Sequence, residues 1–421
     1  MATIYEPTED AAIAAIKALP PQHDMVEVRF DAFGGGDPAA FRDVTSKPIL
    51  FTNRGGEPVS AGFGLIDVEF GRRIQHPSRT VLSFHDFNGM PDLGPLIREM
   101  CAEGCAHTKI AVTPTTLREN EELLAAIQPR LTIIGMGERG LYSRILAPFF
   151  GSELFFAGNA APGQLSLDRA IPIYGDRQVS RPEKIFAIAG NPAGHSLSPS
   201  IHNPLFRKAG VSAAYTIASF ASFSEIGEAF EKGRIAGLSV TAPFKDDAFA
   251  FAQKVRAEVR PNASEAQAVN TLVWIGGEVV ADNTDVIGFE RLLAQWTNGG
   301  RTSARPVGLK PNPHANGERR DPLRSAAVVG AGGTARAALV ALRRAGIDAV
   351  TFNRTPKAGA RPLDELARFD GDLIIDTLPS GVTVTMPAHI PVIAAAYDRG
   401  GLALLHEQAI PQNELFFEAF R

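Results

Sequence analysis

A glycine-rich turn at residues 330–333 is the feature that most constrains the fold. An apolar strand is predicted before it at Ala326–Val329, and an alanine-rich helix after it at Ala335–Ala345. A strand, a tight glycine turn and a helix in this order begin a parallel β-α-β unit. The N–H groups at the start of such a helix can bind a pyrophosphate. The pattern therefore predicts a Rossmann-like dinucleotide-binding domain, with a plain structural turn as the alternative.

The next predicted strand, Ala349–Phe352, indicates which dinucleotide is bound. Sites for NAD usually have an acidic residue after this strand, where it holds the ribose hydroxyls. Here Arg354 follows instead, and a guanidinium can pair with a 2′-phosphate. This favours NADP over NAD, with an exposed surface arginine as the alternative. The predicted cofactor contacts are Gly330, Ala331, Gly332, Gly333, Thr334, Ala335, Asn353, Arg354 and Thr355.

Two short segments upstream supply a lysine and a carboxylate. Lys245 ends the run Val-Thr-Ala-Pro-Phe-Lys, and Asp285 ends Asn-Thr-Asp. Reduction of a ketone by hydride needs a cation or acid at the ketone oxygen, and a carboxylate can orient that group. Ser196 and Ser198, in a loop between a strand and a helix, could hold a small anionic polyol. The alternatives are a solvated surface lysine and ordinary helix capping by Ser198.

Five motifs between residues 184 and 355 resemble the shikimate dehydrogenase family. They are Gly-Asn-Pro…His-Ser-x-Ser-Pro…His-Asn, Val-Thr-x-Pro-Phe-Lys, Ala-Val-Asn-Thr, Asn-Thr-Asp and Gly-Ala-Gly-Gly…Asn-Arg-Thr. The resemblance implies that Lys245 and Asp285 form the catalytic pair. It assigns the substrate carboxylate to Ser196 and Ser198. The ring hydroxyls and further substrate contacts fall to Thr241, Asn270, Asp285 and Gln408.

The resemblance is incomplete near the C-terminal end. Ser239 and Gln267 stand where the family often has asparagine and glycine. The region Asp376–Leu402 is shorter than expected and lacks a clear strand followed by Tyr-x-Pro. Tyr397 is a candidate replacement for the missing tyrosine. We expect these changes to weaken cofactor positioning while leaving the fold intact.

Short strands alternate with connections through the first 160 or so residues, which favours a (β/α)8-type barrel. Helices are expected at Glu9–Leu19, Leu93–Glu103 and Glu119–Ile127. The connections Gly55–Gly64 and Gly71–Arg79 are at or below the roughly 10–12 residues that a helical crossover needs. A barrel with reduced helices is therefore expected. The predicted strands are Ala2–Tyr5, Val26–Asp31, Ile49–Arg54, Leu65–Phe70, Thr80–Phe87, Thr108–Val112, Leu131–Met136 and Leu154–Ala157.

Lys109 lies within one of these apolar strands, and His85 lies near the end of the strand before it. A lysine amine is costly to bury charged, so a desolvated lysine is neutral more often and can form an imine with a ketone. A neighbouring histidine can then remove a proton next to the imine, and water is lost. An edge-strand lysine and a structural histidine are the alternative.

The order of motifs in this half resembles type I 3-dehydroquinate dehydratase. The motifs are Glu-Val-Arg-Phe-Asp, Phe-Thr-Asn-Arg, Asp-Val-Glu, Ser-Phe-His-Asp-Phe, Lys-Ile-Ala, Met-Gly…Ser-Arg and Ala-Pro-Gly-Gln. The resemblance implies that Lys109 is the Schiff-base lysine and His85 the general acid and base. It assigns substrate binding to Glu27, Arg29, Arg54, Arg144 and Gln164. Glu57 stands one position from the family's glutamate, and Ala160 replaces its usual serine.

These observations predict an α/β protein with three parts. Residues 1–176 are expected to form the dehydratase-like barrel. Residues 182–288, with the C-terminal helix 402–421 packing back, form the substrate-binding domain. Residues 289–401 form the NADP-binding Rossmann-like domain, including a mobile loop at 298–324.

Composition excludes several other classes of protein. The net charge of −4 gives no basic field for nucleic acid. No apolar run reaches the ~18–20 residues that span a bilayer, and no secretion signal is visible at the N-terminus. Cys101 and Cys105 do not suggest a disulfide framework. We therefore expect a cytoplasmic protein that binds small molecules, with no metal and no membrane or nucleic-acid partner.

Together the two resemblances imply two consecutive reactions. The barrel would dehydrate 3-dehydroquinate to 3-dehydroshikimate, and the second half would reduce that product to shikimate with NADPH. Two alternatives stay open: a shikimate or quinate dehydrogenase with a non-catalytic barrel, and a regulatory protein that senses quinate or shikimate. The retention of Lys109, His85, Lys245 and Asp285 favours an enzyme. The oligomeric state is left open.

Overall fold

The computed structural model describes residues 1–59, 61–175, 179–297, 323–355 and 359–421, without the side chains of Thr297 and Tyr397. They form two compact units, residues 1–228 and 229–421. Within the described segments, no helix combines the length and apolarity needed to cross a membrane. The α/β fold class is as expected. The three-part division stays a prediction.

A curved sheet of seven parallel strands, paired in chain order, begins the first unit. Parallel strands that follow the chain in this way are typical of a barrel wall. The eighth predicted strand, Leu154–Ala157, is reduced to a single bridge from Ala157 to Ala2. The backbone N–H of Leu154 donates to the Thr132 hydroxyl at 3.2 Å, and so does not extend the ladder. The strands are β1 (Ala2–Ile4), β2 (Val26–Arg29), β3 (Ile49–Thr52), β4 (Leu65–Glu69), β5 (Thr80–Asp86), β6 (His107–Val112) and β7 (Leu131–Gly135).

The barrel's helices are few, as expected. The two short connections contain no α-helix in the residues described, only a 3-10 turn at Pro77–Arg79. The three predicted helices are confirmed: the first two end one or two residues early, and the third begins and ends two residues earlier than predicted. Each is capped at its N-terminus by a side chain, that of Thr8, Asp92 or Thr116. Two further helices were not predicted. The set is α1 (Glu9–Lys17), α2 (Leu93–Ala102), α3 (Leu117–Ala125), α4 (Leu141–Leu146) and α5 (Leu167–Tyr174).

The first unit continues past the barrel. Strands β8 (Lys184–Gly190) and β9 (Ala213–Ser219) pair in parallel, joined by α6 (Ser198–Ala209), and α7 (Phe223–Glu231) follows. Helix α6 packs on α5, and β9 packs on α4. The predicted linker around residues 174–182 falls partly outside the described residues.

The second unit contains two sheets. The first has the order β11-β13-β12-β10 and is mixed, and the second has the parallel order β16-β15-β14-β17-β18. Its strands are β10 (Gly237–Val240), β11 (Glu258–Val259), β12 (Thr271–Ile275), β13 (Glu278–Asp282), β14 (Ser325–Val329), β15 (Asp348–Asn353), β16 (Ala360–Pro362), β17 (Leu373–Asp376) and β18 (Val392–Ala394). Its helices are α8 (Lys245–Lys254), α9 (Pro261–Ala266), α10 (Thr284–Thr297), α11 (Gly333–Arg344) and α12 (Leu402–Glu418).

The predicted β-turn-α unit is confirmed as β14, the glycine turn and α11. Strand β18 lies where the sequence showed no clear strand, because three residues are too few for a pattern. The predicted loop at 298–324 lies outside the described residues, apart from its last two.

Candidate active sites

Polar side chains repeat at every second position along the central barrel strands. Successive strand residues point to opposite faces, so this spacing puts them all on one face. We call Arg54, Asp67, Glu69, Ser83, His85 and Lys109 the barrel cluster. It extends from the middle of the strands to their carboxyl-terminal ends, and a parallel barrel holds its functional groups at that end.

Lys109, on β6, is buried with 5% of its surface exposed. Its Nζ lies 3.6 Å from Asp67 Oδ2 and 4.3 Å from the centre of the Phe156 ring. Burial lowers the pKa of Lys109, although the Asp67 and Glu27 carboxylates raise it in part. A lower pKa increases the share of neutral amine, which is the nucleophilic form.

His85 is held by Glu69 of the neighbouring strand. Its Nδ1 lies 3.0 Å from Glu69 Oε2 and 3.1 Å from Oε1. With the proton on Nδ1, the ring donates to the Glu69 carboxylate, which only accepts, and Nε2 keeps a lone pair available as a base. Burial lowers the pKa of His85, while the hydrogen bond to Glu69 raises it.

Arg54 ties these groups together. Its Nη2 donates to Asp67 Oδ2 at 3.2 Å, and its Nη1 donates to Glu69 and lies 3.2 Å from His85 Nδ1. Ser83 Oγ donates to Asp67 Oδ1 at 2.7 Å. Burial raises the pKa of Asp67, but Lys109 and Arg54 outweigh burial and hold the pKa below its ordinary value. The cluster therefore pairs a buried cation, Lys109, and a half-buried one, Arg54, with two carboxylates.

Glu69→Gln should shift the pH dependence of dehydration. The Glu69 hydrogen bond raises the pKa of His85 against burial, so removing the negative charge should lower that pKa further. The acid limb of kcat/KM should then move to lower pH, with kcat about 10-fold smaller at the optimum because the base is weaker. Glu57→Gln is the matched control, since Glu57 is 89% exposed and pairs with Arg72. A pH–rate profile unchanged in Glu69→Gln, or shifted equally in Glu57→Gln, contradicts this role.

The other predicted barrel residues occupy two hydrogen-bonded groups. Thr3 Oγ1 donates to Glu27 Oε2 at 2.8 Å and accepts from Gln164 Nε2 at 3.0 Å. Arg144 is buried and donates to the Pro162 and Phe156 carbonyls, and burial lowers the pKa of its guanidinium to about 10.

Arg29 is paired with a neighbour on the same chain segment. Its Nε and Nη2 donate to Asp31 at 2.9 and 2.6 Å. The binding roles of Glu27, Arg29, Arg54, Arg144 and Gln164 stay predictions.

Sequence reasoning assigned no role to Asp67, Glu69 or Ser83, although all three stand in motifs of the resemblance, and it did not indicate Thr3. Asp67 and Glu69 carried a usable signal, because charges two residues apart in a predicted apolar strand must share one face. Thr3 carried none, since its role depends on which strands lie beside β1.

The second unit holds the predicted lysine and carboxylate together. Lys245 is the first residue of α8 and Asp285 is in the first turn of α10. Lys245 Nζ donates to Asp285 Oδ2 and, at 2.7 Å, to Thr334 Oγ1. Asn270 Nδ2 donates to Asp285 Oδ1 at 2.9 Å. Lys245 and Asp285 are both buried, so the predicted pair forms an ion pair in a largely dry setting.

Helix α12 borders the same group. Gln408 Oε1 accepts from the Thr284 hydroxyl at 3.0 Å, and Thr284 N in turn donates to Asn270 Oδ1 at 2.8 Å. Gln412, which the sequence did not indicate, donates to Thr271 Oγ1 at 2.8 Å. Thr241 follows β10 and is half-buried. Its role as a substrate contact stays a prediction, as do those of Asn270 and Gln408.

Ser196 and Ser198 lie in the first unit, and each is 2% exposed. Ser196 Oγ donates to Ser198 Oγ at 3.1 Å and accepts from Ser198 N at 3.2 Å. Ser198 is the first residue of α6 and Leu197 is the N-cap, so the capping alternative for Ser198 is wrong. The predicted carboxylate role of the two serines is untested.

The glycine turn fits a dinucleotide pyrophosphate. Gly330 has φ +113°, and a Cβ there would lie 2.5 Å from the Thr377 hydroxyl, so only glycine fits. Gly332 is the N-cap of α11, makes no side-chain cap, and a Cβ there would meet nothing within 4 Å. The helix N-terminus is thus open to an anion.

The remaining predicted cofactor residues lie around this turn. Asn353 Nδ2 donates to the Thr355 carbonyl at 2.9 Å, and Arg354 and Thr355 are exposed. An exposed arginine at the end of β15 suits a 2′-phosphate. The cofactor roles of Gly330, Ala331, Gly332, Gly333, Thr334, Ala335, Asn353, Arg354 and Thr355 stay predictions.

These features define a class of protein in which a parallel barrel with a buried lysine is fused to an α/β part whose glycine turn suits a dinucleotide. Comparison with known families agrees. Residues 58–181 match type I 3-dehydroquinase, and residues 188–272 match the shikimate dehydrogenase substrate binding domain.

The chain is also similar in sequence to several known proteins. The chloroplastic bifunctional 3-dehydroquinate dehydratase/shikimate dehydrogenase of Arabidopsis thaliana is 29% identical over 79% of this chain, which spans only 60% of that relative. Shikimate biosynthesis protein AroDE of Chlamydia pneumoniae is 29% identical, over 83% of this chain and 76% of the relative. Shikimate dehydrogenase (NADP(+)) of Oleidesulfovibrio alaskensis is 31% identical, over 56% of this chain and 80% of the relative. The chain therefore belongs to the shikimate dehydrogenase family, fused to a type I 3-dehydroquinase part.

Proposed function

We propose that this chain catalyses two consecutive steps, dehydration of 3-dehydroquinate to 3-dehydroshikimate and reduction of that product to shikimate with NADPH. The observation that carries the proposal is that each half contains a buried lysine beside a carboxylate. Lys109 is 5% exposed and Lys245 8% exposed. Burying a cation is costly, so such lysines point to function unless their pairs serve stability alone.

In the dehydration, the Lys109 amine attacks the ketone and water leaves as the imine forms. His85 Nε2 then removes a proton from the carbon next to the imine, because Glu69 keeps the other ring nitrogen protonated. The β-hydroxyl leaves as water as the carbon–carbon double bond forms, and hydrolysis of the imine frees Lys109. Glu27, Arg29, Arg54, Arg144 and Gln164 hold the substrate in this proposal.

In the reduction, Lys245 supplies positive charge and a proton at the oxygen of the ketone, and Asp285 orients Lys245. Asn270, Thr241 and Gln408 are assigned to ring hydroxyls, and Ser196 and Ser198 to the carboxylate. NADPH supplies the hydride when bound. The N-terminus of α11 would hold its pyrophosphate, and Arg354 its 2′-phosphate.

The remaining assignments belong to the same proposal. Residues 1–176 form the barrel part, residues 182–288 with 402–421 the substrate part, and residues 289–401 the nucleotide part. A cytoplasmic location is supported by two free thiols, Cys101 and Cys105, as is usual in a reducing compartment.

Two assays test the proposal. The purified chain with 3-dehydroquinate alone should produce 3-dehydroshikimate, detected by the absorbance of the new conjugated double bond. Adding NADPH should then produce shikimate with loss of NADPH absorbance, and NADH should be the poorer donor. A chain that turns over neither substrate contradicts the proposal and favours a sensor. Reduction without dehydration leaves a dehydrogenase with a non-catalytic barrel.

A further inference from the structure

The loop that follows β8 and carries Ser196 and Ser198 is held by two side chains from the barrel part of the chain. Glu138 lies in the connection after β7, and Arg169 lies in α5. Both belong to the first compact unit, as does the loop. We call residues 191–198 the serine loop.

Glu138 holds the serine loop through a single carboxylate oxygen. Its Oε1 accepts from the backbone N–H groups of Ala193 and Gly194, each at 2.8 Å. The same oxygen accepts from the Ser219 hydroxyl at 2.8 Å. Burial raises the pKa of Glu138, but these hydrogen bonds, led by that of Gly194, outweigh burial and hold the pKa below its ordinary value. Hydrogen bonds to an ionised acceptor are among the stronger ones in proteins.

Arg169 holds the serine loop from its carbonyl side. Its Nη2 donates to the Gly194 carbonyl at 2.9 Å and to the Ser196 carbonyl at 2.7 Å. The Arg169 carbonyl accepts from the Ser200 hydroxyl at 2.9 Å, which ties α5 to the start of α6. The anion thus binds the loop's N–H groups and the cation binds its carbonyls, so together they fix its backbone.

We propose that Glu138 and Arg169 are positioning residues for the serine loop, so that the barrel part of the chain sets the affinity of the reduction step for its substrate. The inference rests on the proposed function, which assigns the substrate carboxylate to Ser196 and Ser198. Neither Glu138 nor Arg169 touches the substrate. Each acts by fixing the backbone that carries the two hydroxyls, and a site displaced by a fraction of an ångström binds more weakly.

The test uses the full chain and separates binding from turnover. Glu138→Ala should raise KM for 3-dehydroshikimate about 10-fold, the effect of losing charged hydrogen bonds, with kcat changed less than about twofold. Glu138→Gln keeps an oxygen acceptor and should recover much of the affinity. Arg169→Ala should raise KM in the same way and provides a second variant if Glu138→Ala folds poorly. Constants for 3-dehydroquinate should not change in any of them.

Arg139→Ala is the matched control, because Arg139 neighbours Glu138 but donates to the Thr115 carbonyl of the barrel. A wild-type KM in both Glu138→Ala and Arg169→Ala, or an equal rise in Arg139→Ala, overturns the inference. Hydrogen exchange of the peptide that covers residues 191–198 gives a readout independent of activity. It should be faster in Glu138→Ala and unchanged in Arg139→Ala, even if the wild-type chain reduces nothing. Unchanged exchange in Glu138→Ala overturns the inference without bearing on the proposed function.

Discussion

Lys109→Met is expected to lower the rate of 3-dehydroquinate dehydration by on the order of 10⁴-fold or more, because the variant lacks the amine that forms the imine in the proposed mechanism. Methionine is nearly isosteric with the lysine stem, so the site stays filled, although the contact of Nζ with the Phe156 ring is lost. Asp67 keeps its partner Arg54, so the change does not leave that carboxylate unpaired. The reduction of 3-dehydroshikimate should proceed at the wild-type rate.

Lys17→Met is the control for this variant. Lys17 lies in the last turn of α1 and is exposed, so its replacement should leave dehydration unchanged. Initial rates of both reactions, measured on all three proteins with circular dichroism to verify folding, decide the matter. Dehydration within about 10-fold of wild type in a folded Lys109→Met protein is incompatible with an imine mechanism at this residue.

Lys245→Met is expected to lower kcat for the reduction by about 10²–10⁴-fold, with KM for 3-dehydroshikimate changed only a few-fold. The loss falls on kcat because the ammonium acts mainly on charge that develops at the oxygen in the transition state. Methionine preserves the aliphatic stem that packs under Gly333, where a Cβ would lie 2.9 Å from Lys245 Cβ. Dehydration should not change.

The control lies on the same helix. Lys254 is in the last turn of α8 and is exposed, so Lys254→Met should behave as wild type. Steady-state constants in both directions distinguish the outcomes. Normal kcat in Lys245→Met would remove the role proposed for the ammonium, whereas a rise in KM alone would make Lys245 a substrate-binding group.

Much of the fold was predictable because local patterns and tertiary structure agree. The apolar strands of the barrel are confirmed from β1 to β7, since short apolar runs separated by turn residues carry a strong signal. The glycine turn predicted β14 and α11 within two residues. The eighth predicted strand is only a single bridge, from Ala157 to Ala2, because a local apolar pattern does not show which partners its backbone groups find. Within this segment, the backbone N–H of Leu154 donates to the Thr132 hydroxyl and not to a neighbouring strand.

Less of the candidate sites was predictable. The order of the motifs predicted that Lys109 and His85 share one site and that Lys245 and Asp285 share another. It did not predict the side chains that hydrogen-bond to or pair with these residues. Glu69 faces His85 only because β4 lies beside β5 in register, with Glu69 opposite Ser83. Glu57 stands one position from the family's glutamate, but its side chain is exposed and it is not part of the barrel cluster. The hydrogen bond that the Gly194 N–H donates to Glu138 joins residues far apart in sequence, and no local pattern encodes such a contact.

The central claim is that the buried Lys109 amine reacts with the ketone of 3-dehydroquinate. Borohydride added during turnover reduces an imine to a stable secondary amine, so mass spectrometry of the digested protein tests this claim directly. The account predicts that the peptide containing Lys109 carries the reduced ligand in the wild-type chain, and that Lys109→Met carries none at any position. An unmodified Lys109 in a chain that turns over 3-dehydroquinate, or an adduct on another lysine, would contradict it.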